Sequence, residues 1–212
     1  LDFLSFVYAK FGFTFDLNLS TRPKKFLGDP AVWDMAEQKL KNSLDKFGQT
    51  WEYDKEGGAF YGPKIDITIK DALGRKFQCA TIQLDFQLPL RFDLEYTPAV
   101  KNADGSKSRP VIVHRAILGS VERMIAILTE NYAGKFPFWL SPRQMVVIPA
   151  HPDFNGYAKS VALTMTQNGF TCDCNTDDSL LLKKKIAVSQ GQHYHFQFVV
   201  GPKEAESNSV AI

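Results

Sequence analysis

Lys64-Ile65-Asp66-Ile67-Thr68-Ile69-Lys70 is followed, past a turn at Ala72-Leu73-Gly74, by Lys76-Phe77-Gln78-Cys79-Ala80-Thr81-Ile82-Gln83-Leu84. Two extended segments joined by so short a turn pair antiparallel, because parallel pairing needs a crossover of a dozen residues or more. Outward from this pair, residues 51–55, 92–97 and 110–115 read as further strands, with turns at Gly57-Gly58 and Gly62-Pro63. Phe13-Thr14-Phe15-Asp16-Leu17-Asn18-Leu19-Ser20 alternates strictly and joins them as a strand with its apolar side inward. The prediction is an antiparallel sheet, not a βαβ array. Residues 1–11 are apolar at helical spacing and stop at Gly12, and Asn102-Ala103-Asp104-Gly105-Ser106 reads as a hairpin-type loop. Asp29-Pro30 opens a second helix as cap and first helical residue, with Trp33, Ala36, Leu40, Leu44 and Phe47 on one face and Gly48 closing it. Residues 120–133 form an amphipathic helix.

The pattern changes after Ser141-Pro142. Residues 144–150, 170–175 and 196–200 read as strands, with helices at 157–168 and 180–190, which describes a small α/β unit with a mixed, partly parallel sheet. The prediction is α+β overall, with domains at 1–141 and 142–212. The 212 residues carry 25 Lys and Arg against 23 Asp and Glu, which excludes a basic tail, an acidic disordered segment and a coiled coil. No apolar run approaches the roughly 18 residues needed to cross a bilayer, so no membrane partner is expected. Cys79, Cys172 and Cys174 make neither a disulfide framework nor a four-ligand zinc pattern, and fit a reducing compartment. Leu1-Asp2-Phe3-Leu4 opens in mid-element, without initiator methionine or signal peptide, and the chain reads as a fragment.

The residues alone offer modest chemistry. The glycine-rich loop from Gly57 to Lys64 lacks the spacing of a phosphate loop and is either a tight turn or a site element. Strict alternation puts Gln78, Ala80, Ile82 and Leu84 on one face, and Cys79, Thr81, Gln83 and Asp85 on the other. The polar face is either solvated or the floor of a binding site. His114 alone is more often a packed residue than a ligand. Arg123 stands in the first turn of its helix, where a cation opposes the helix dipole unless an anion lies nearby. Lys183-Lys184-Lys185 reads as a solvated face, and His193 and His195 as packing or strand-edge residues. From Pro142 onward six basic residues balance six acidic ones, which makes the second domain a poor generic nucleic-acid binder.

Taken together, Gly58-Ala59-Phe60-Tyr61-Gly62-Pro63-Lys64-Ile65, Gln78-Cys79-Ala80-Thr81-Ile82-Gln83-Leu84-Asp85-Phe86 and residues 110–123 resemble the threonyl-tRNA synthetases. Ser20-Thr21-Arg22-Pro23, Trp33-Asp34-Met35-Ala36-Glu37 and the closing Val199-Val200-Gly201-Pro202-Lys203-Glu204-Ala205-Glu206 resemble the same family, so the likeness spans the chain. It implies the C-terminal half of a class II catalytic domain, then an anticodon-binding domain truncated at its C-terminus. By the resemblance, Arg123 holds ATP phosphates, Gln78 and Thr81 line the ATP pocket, and Lys64 lies near the reacting groups. Tyr61 and Gln83 surround threonine, His114 is one of three protein ligands to a catalytic zinc, and Glu204 contacts the anticodon. The implied cofactors are Zn2+ and Mg2+ with ATP. The implied partners are ATP, threonine and tRNA(Thr), with a homodimer in the complete protein, in the cytoplasm or else in mitochondria.

The sequence also departs from the family pattern. The other two zinc ligands, a Cys and a His, belong to a preceding region, and Cys79 does not match that cysteine. The first and second class II motifs and any editing domain are missing, and Ala80 replaces a usual glycine. The chain alone is therefore expected to be inactive. The rival readings are another class II synthetase, such as a prolyl or histidyl enzyme, and a synthetase-derived nucleic-acid-binding or regulatory protein without catalysis.

Overall fold

The computed structural model describes residues 1–100 and 104–212, so the hairpin-type loop expected at 102–106 falls partly outside the described residues. Two compact units divide the chain, Leu1–Asn131 and Tyr132–Ile212. Among the described residues, no helix is long and apolar enough to cross a membrane.

The first unit opens with α1 (Asp2–Phe11), which buries Leu4, Tyr8 and Phe11 and ends on Gly12 at φ 74°, the left-handed backbone that glycine adopts without strain. Strand β1 (Phe15–Ser20) follows. In α2 (Pro30–Phe47) the Asp29 carboxylate accepts the Ala31 N–H, satisfying a donor the helix itself leaves open. Its buried stripe is Trp33, Ala36, Leu40 and Leu44, and it packs on β1 and β3, the latter spanning Lys64–Lys70. The remaining elements are β2 (Trp51–Asp54), β4 (Lys76–Asp85), α3 (Gln87–Arg91), β5 (Ile112–Ala116) and α4 (Val121–Tyr132).

The five strands lie in the order β2-β1-β3-β4-β5. Every pair from β1 to β5 is antiparallel, as expected. The β1–β2 pair at the edge is parallel, because α2 supplies the crossover that returns the chain to the same end of the sheet. Leu17, Leu19, Ile65, Ile67 and Ile69 form the buried apolar side, each full burial stabilising the fold by about 1.5–3 kcal/mol.

The strand expected at 92–97 does not form. Asp85 Oδ1 accepts the N–H groups of Gln87 (2.8 Å) and Leu88 (3.0 Å), which starts α3 just ahead of the segment expected to be extended. Asp93 then takes φ 50°, and Arg109 holds the loop by donating to the carbonyl of Pro89 (2.8 Å) and to Asp93 Oδ1 (3.1 Å). What pairing remains is a single antiparallel bridge between Tyr96 and Ser108.

The second unit contains β6 (Met145–Pro149), α5 (Asn155–Gln167), β7 (Cys172–Cys174), α6 (Leu182–Gly191), β8 (Phe196–Val200) and the short α7 (Pro202–Ser207). The strands are parallel in the order β7-β6-β8, each connection being a helix, and an isolated antiparallel bridge joins Val199 to Ala211. Met145, Val147, Ala158, Ala162, Phe198 and Val200 form its core. The continuous apolar run of β6 is what a central parallel strand buried on both faces requires.

All three cysteines are free thiols. Burial, and then the neighbouring Asp173, pushes the Cys172 thiol up to about 11. Burial raises Cys79 against the opposing pull of Arg123, and raises Cys174 against Lys159 and Lys185. Since the thiolate is the nucleophile, native Cys172 should alkylate roughly a hundredfold more slowly at pH 7.5 than the same residue in the unfolded chain. Time-resolved iodoacetamide labelling with mass spectrometry reads this directly, and equal native and unfolded rates would refute it.

Candidate active-site face of the sheet

The side of the first sheet opposite its apolar core carries the polar residues in register. Across the strands Ser20 pairs with Lys64, Lys64 with Gln83, and Gln83 with His114. The next row in is Asn18, Asp66, Thr81 and Ala116. Residues directly opposite one another share a face, so Lys64, Asp66, Thr81, Gln83 and His114 all project to the same side.

Strict alternation along β4 would send Gln78 to the other side. The structure corrects this with a β-bulge: Ile67 pairs with Ala80 but Thr68 pairs with Gln78, and Cys79 is the extra residue. The bulge buries Cys79 and turns Gln78 onto the face of Thr81 and Gln83. There its Nε2 donates to Asp66 Oδ1. Thr81 Oγ1 donates to the same oxygen at 3.0 Å. On Oδ2, Asp66 accepts from Ser20 Oγ at 2.8 Å and from Lys64 Nζ. Asp66 is only 5% exposed, so a buried carboxylate collects four donors, the arrangement a buried charge needs.

A second buried carboxylate organises the other end of this face. Asp85, 1% exposed, holds His114 Nε2 at 2.8 Å through Oδ2 while its Oδ1 caps α3. Burial pushes the Asp85 carboxyl up, but the hydrogen bonds from His114 and from the Leu88 and Gln87 N–H groups outweigh it and leave the group below the ordinary aspartate value. Tyr61 donates to Gln83 Oε1 at 2.8 Å and lies edge-on to the His114 ring. Burial, and then the nearby Asp85 charge, raises the Tyr61 hydroxyl above its usual value and keeps it a donor at neutral pH. Tyr61, Asp85 and His114, with Phe60, Leu88 and Arg91, line a cavity of about 490 Å³, the size of a small-molecule site.

Arg123 reaches this face through the bulge. Gly119, at φ 69°, lies so close to β4 that a Cβ there would come 2.9 Å from the Cys79 carbonyl oxygen. That close approach seats the start of α4 on the bulge. Ser120 Oγ accepts the Arg123 N–H at 3.3 Å, and the exposed guanidinium donates to the Gln78 carbonyl at 3.3 Å. Lys64, Gln78 and Thr81 are thus gathered on Asp66, with Arg123 bonded to the Gln78 main chain, while Tyr61, Gln83 and His114 lie along the row that Lys64 also occupies. Glu204 lies in the second unit, where its Oε2 accepts the Gly201 N–H at 2.9 Å at the start of α7.

Asp66 and the anchoring role of Asp85 escaped the sequence reading. The available signal was parity: Lys64, Asp66 and Thr68 share a side of β3, and antiparallel pairing sets that side against Thr81 and Gln83. No group of three or more His, Cys, Asp or Glu suited to a metal occurs among the described residues. His114 does have the form of a single metal ligand, because a carboxylate on Nε2 orients the ring and leaves Nδ1 for a metal. Further donors would have to come from elsewhere.

Comparison with known proteins places the chain in a family. The family model of the tRNA synthetase class II core domain (G, H, P, S and T) matches residues 3–132. The chain belongs to the class II aminoacyl-tRNA synthetases. The anticodon binding domain model matches residues 144–212. Among relatives of this synthetase chain, the human cytoplasmic threonine–tRNA ligase 1 is 60% identical over all 212 residues, and the human mitochondrial threonine–tRNA ligase is 53% identical over the same span. The chain covers 29% of the length of each. A solved structure described as the RNA binding domain of threonyl-tRNA synthetase from Cryptosporidium parvum Iowa II aligns with 99% of this chain and 52% of its own, at TM-score 0.90 and 48% identity.

Proposed function

We propose that these residues form part of an enzyme that joins threonine to its tRNA in two steps. In the first, a threonine carboxylate oxygen bonds to the α-phosphorus of Mg2+-ATP, the bond from that phosphorus to the bridging oxygen breaks, and pyrophosphate leaves with the electron pair. In the second, the terminal ribose hydroxyl of the tRNA attacks the acyl carbon and AMP leaves. The observation that carries this reading is the joint anchoring of Lys64, Gln78 and Thr81 on Asp66, with Arg123 bonded to the Gln78 carbonyl at 3.3 Å. Two cations beside a row of anchored polar side chains suit a reaction whose charge develops on phosphate oxygens.

In this reading Arg123 holds the phosphates, Gln78 and Thr81 hold the nucleoside, and Lys64 faces the reacting oxygens. Tyr61 and Gln83, already bonded to each other, bound the amino-acid pocket. His114 would give one ligand to a zinc completed by donors outside the described residues, and such an ion, when bound, binds an amino alcohol in preference to its methyl isostere. Glu204 would read an anticodon base edge with its remaining oxygen, which needs no net positive charge in that domain. We also propose a homodimer, and a cytoplasmic location, with the mitochondrial relative marking the other compartment where this chemistry operates.

ATP–pyrophosphate exchange on the full-length protein tests the proposal. Threonine should support exchange, serine weakly and valine not at all. His114→Ala should lose both bound zinc, read by elemental analysis, and threonine-dependent exchange. A folded, metal-loaded protein inert with every amino acid would instead favour a non-catalytic tRNA-binding protein.

A further inference from the structure

Asp66 takes four donors and gives none. A carboxylate is acceptor-only, with about four lone-pair positions, and here both oxygens are doubly engaged: Oδ1 by Gln78 Nε2 and Thr81 Oγ1, Oδ2 by Ser20 Oγ and Lys64 Nζ. Three of those four partners are the side chains assigned above to ATP and the reacting groups. We propose that Asp66 is a positioning residue that sets the hydrogen-bond polarity of the nucleotide site, an inference resting on the proposed function of this face.

Because Asp66 only accepts, the Gln78 amide must turn its nitrogen inward, which directs Oε1 away from Asp66. The single Thr81 hydroxyl proton goes to Asp66, so towards a ligand that oxygen acts only as an acceptor. Lys64 has three donors and uses one on Asp66, leaving its others for an oxyanion. The site therefore offers acceptors where Gln78 and Thr81 stand and a cation where Lys64 stands. The ligand that fits carries hydroxyl or amino donors at one end and anionic oxygens at the other, which is the chemistry of a nucleotide. The β-bulge at Cys79 makes this convergence available, since without it Gln78 would face the opposite side of the sheet.

Asp66→Asn is nearly isosteric but replaces one acceptor oxygen with a donor. In either orientation of the new amide, its nitrogen meets two donors on that side, and Gln78 with Thr81, or Lys64 with Ser20, must turn. The test uses the full-length protein and direct calorimetric binding of ATP, 2′-deoxy-ATP, 3′-deoxy-ATP and purine riboside triphosphate, each analogue lacking one donor. In the unsubstituted protein at least one analogue should bind about tenfold more weakly than ATP, the usual cost of leaving a buried acceptor unpaired. In Asp66→Asn, ATP itself should weaken about tenfold, and the analogue penalty should shrink to about twofold, while threonine affinity stays within about twofold. A merely structural Asp66 would lower Tm and leave the analogue ratios unchanged.

Thr81→Val covers the case in which Asp66→Asn fails to fold, because it removes one acceptor and leaves the carboxylate in place. It should abolish or reduce the penalty of one analogue. Unchanged analogue ratios in a folded Asp66→Asn protein, or in Thr81→Val where Asp66→Asn does not fold, overturn the inference. So does an unsubstituted protein that binds all four nucleotides alike. A protein that discriminates the analogues as described but supports no exchange refutes the proposed function and leaves this inference standing.

Discussion

Arg123→Ala in the full-length protein should lower kcat/KM for ATP in the exchange reaction by about two to three orders of magnitude, the loss typical of removing one preorganised charge contact to a developing oxyanion. The same substitution should leave Tm unchanged or slightly raised. Arg123 is exposed, and its guanidinium contacts β4 through a long 3.3 Å bond to the Gln78 carbonyl. It also stands in the first turn of α4, where a cation opposes the helix dipole by about 0.3–1 kcal/mol. Removing it therefore relieves a local electrostatic conflict while deleting the group that binds phosphate. Loss of activity together with equal or greater stability is the signature of a residue kept for its ligand and not for the fold. Arg123→Lys should recover only part of the activity, because an ammonium cannot reproduce the two-pronged contact of a guanidinium with phosphate. Steady-state exchange kinetics and thermal melts decide it. Full activity in Arg123→Ala would remove this residue from the nucleotide site.

How much of this was legible in the sequence varied with how local the governing physics was. The start of α2 could be read from Asp29 and Pro30, and its buried stripe from the spacing of Trp33, Ala36, Leu40 and Leu44, because capping and a period of 3.6 are local properties. Strand β3 likewise has the bounds its alternation predicts, Lys64–Lys70. Phe92 to Thr97 failed because what holds that segment is not local: Asp93 takes φ 50°, and Arg109 donates to Asp93 Oδ1 and to the Leu94 carbonyl. The parallel edge pair of β1 and β2 failed because a strand's neighbour depends on how far the intervening helix carries the chain. On the candidate site, Lys64, Thr81 and Gln83 could be grouped by parity alone. Gln78 could not, since one bulged residue reverses every side-chain assignment beyond it. Asp66 was hidden by its residue type. An aspartate in an alternating strand normally faces water, and its four donors come from β1, β3 and β4, which only the folded sheet brings together.

Gly62→Ala should destabilise the protein by about 1–3 kcal/mol, the usual cost of forcing extra volume into a packed site. The constraint is not backbone conformation but proximity: a Cβ on Gly62 would lie 1.7 Å from the Leu84 carbonyl oxygen. No side-chain rotamer relieves a clash between a Cβ and a main-chain atom, so the loop or β4 has to move. Both are tied where they meet, since the Leu84 N–H donates to the Pro63 carbonyl at 3.1 Å and the Gly62 N–H to the Ala59 carbonyl at 3.2 Å. Tyr61 precedes the glycine and Gln83 precedes Leu84, so the displacement falls on their 2.8 Å hydrogen bond and on the cavity shared with His114. For a chain of this size the stability change corresponds to a Tm lower by roughly 2–12 °C. The KM for threonine should rise more than the KM for ATP, because Gly62 borders Tyr61 and not the Asp66 cluster. Gly156→Ala is the matched control. It lies in α5 with no heavy atom within 4 Å of the added Cβ, and alanine there should stabilise the helix by roughly 0.5–1 kcal/mol. Opposite signs at two glycines of unlike surroundings would separate close approach from backbone entropy. A Gly62→Ala protein with unchanged Tm and threonine KM would mean that the loop is free to yield, and that Tyr61 is not positioned by its packing against β4.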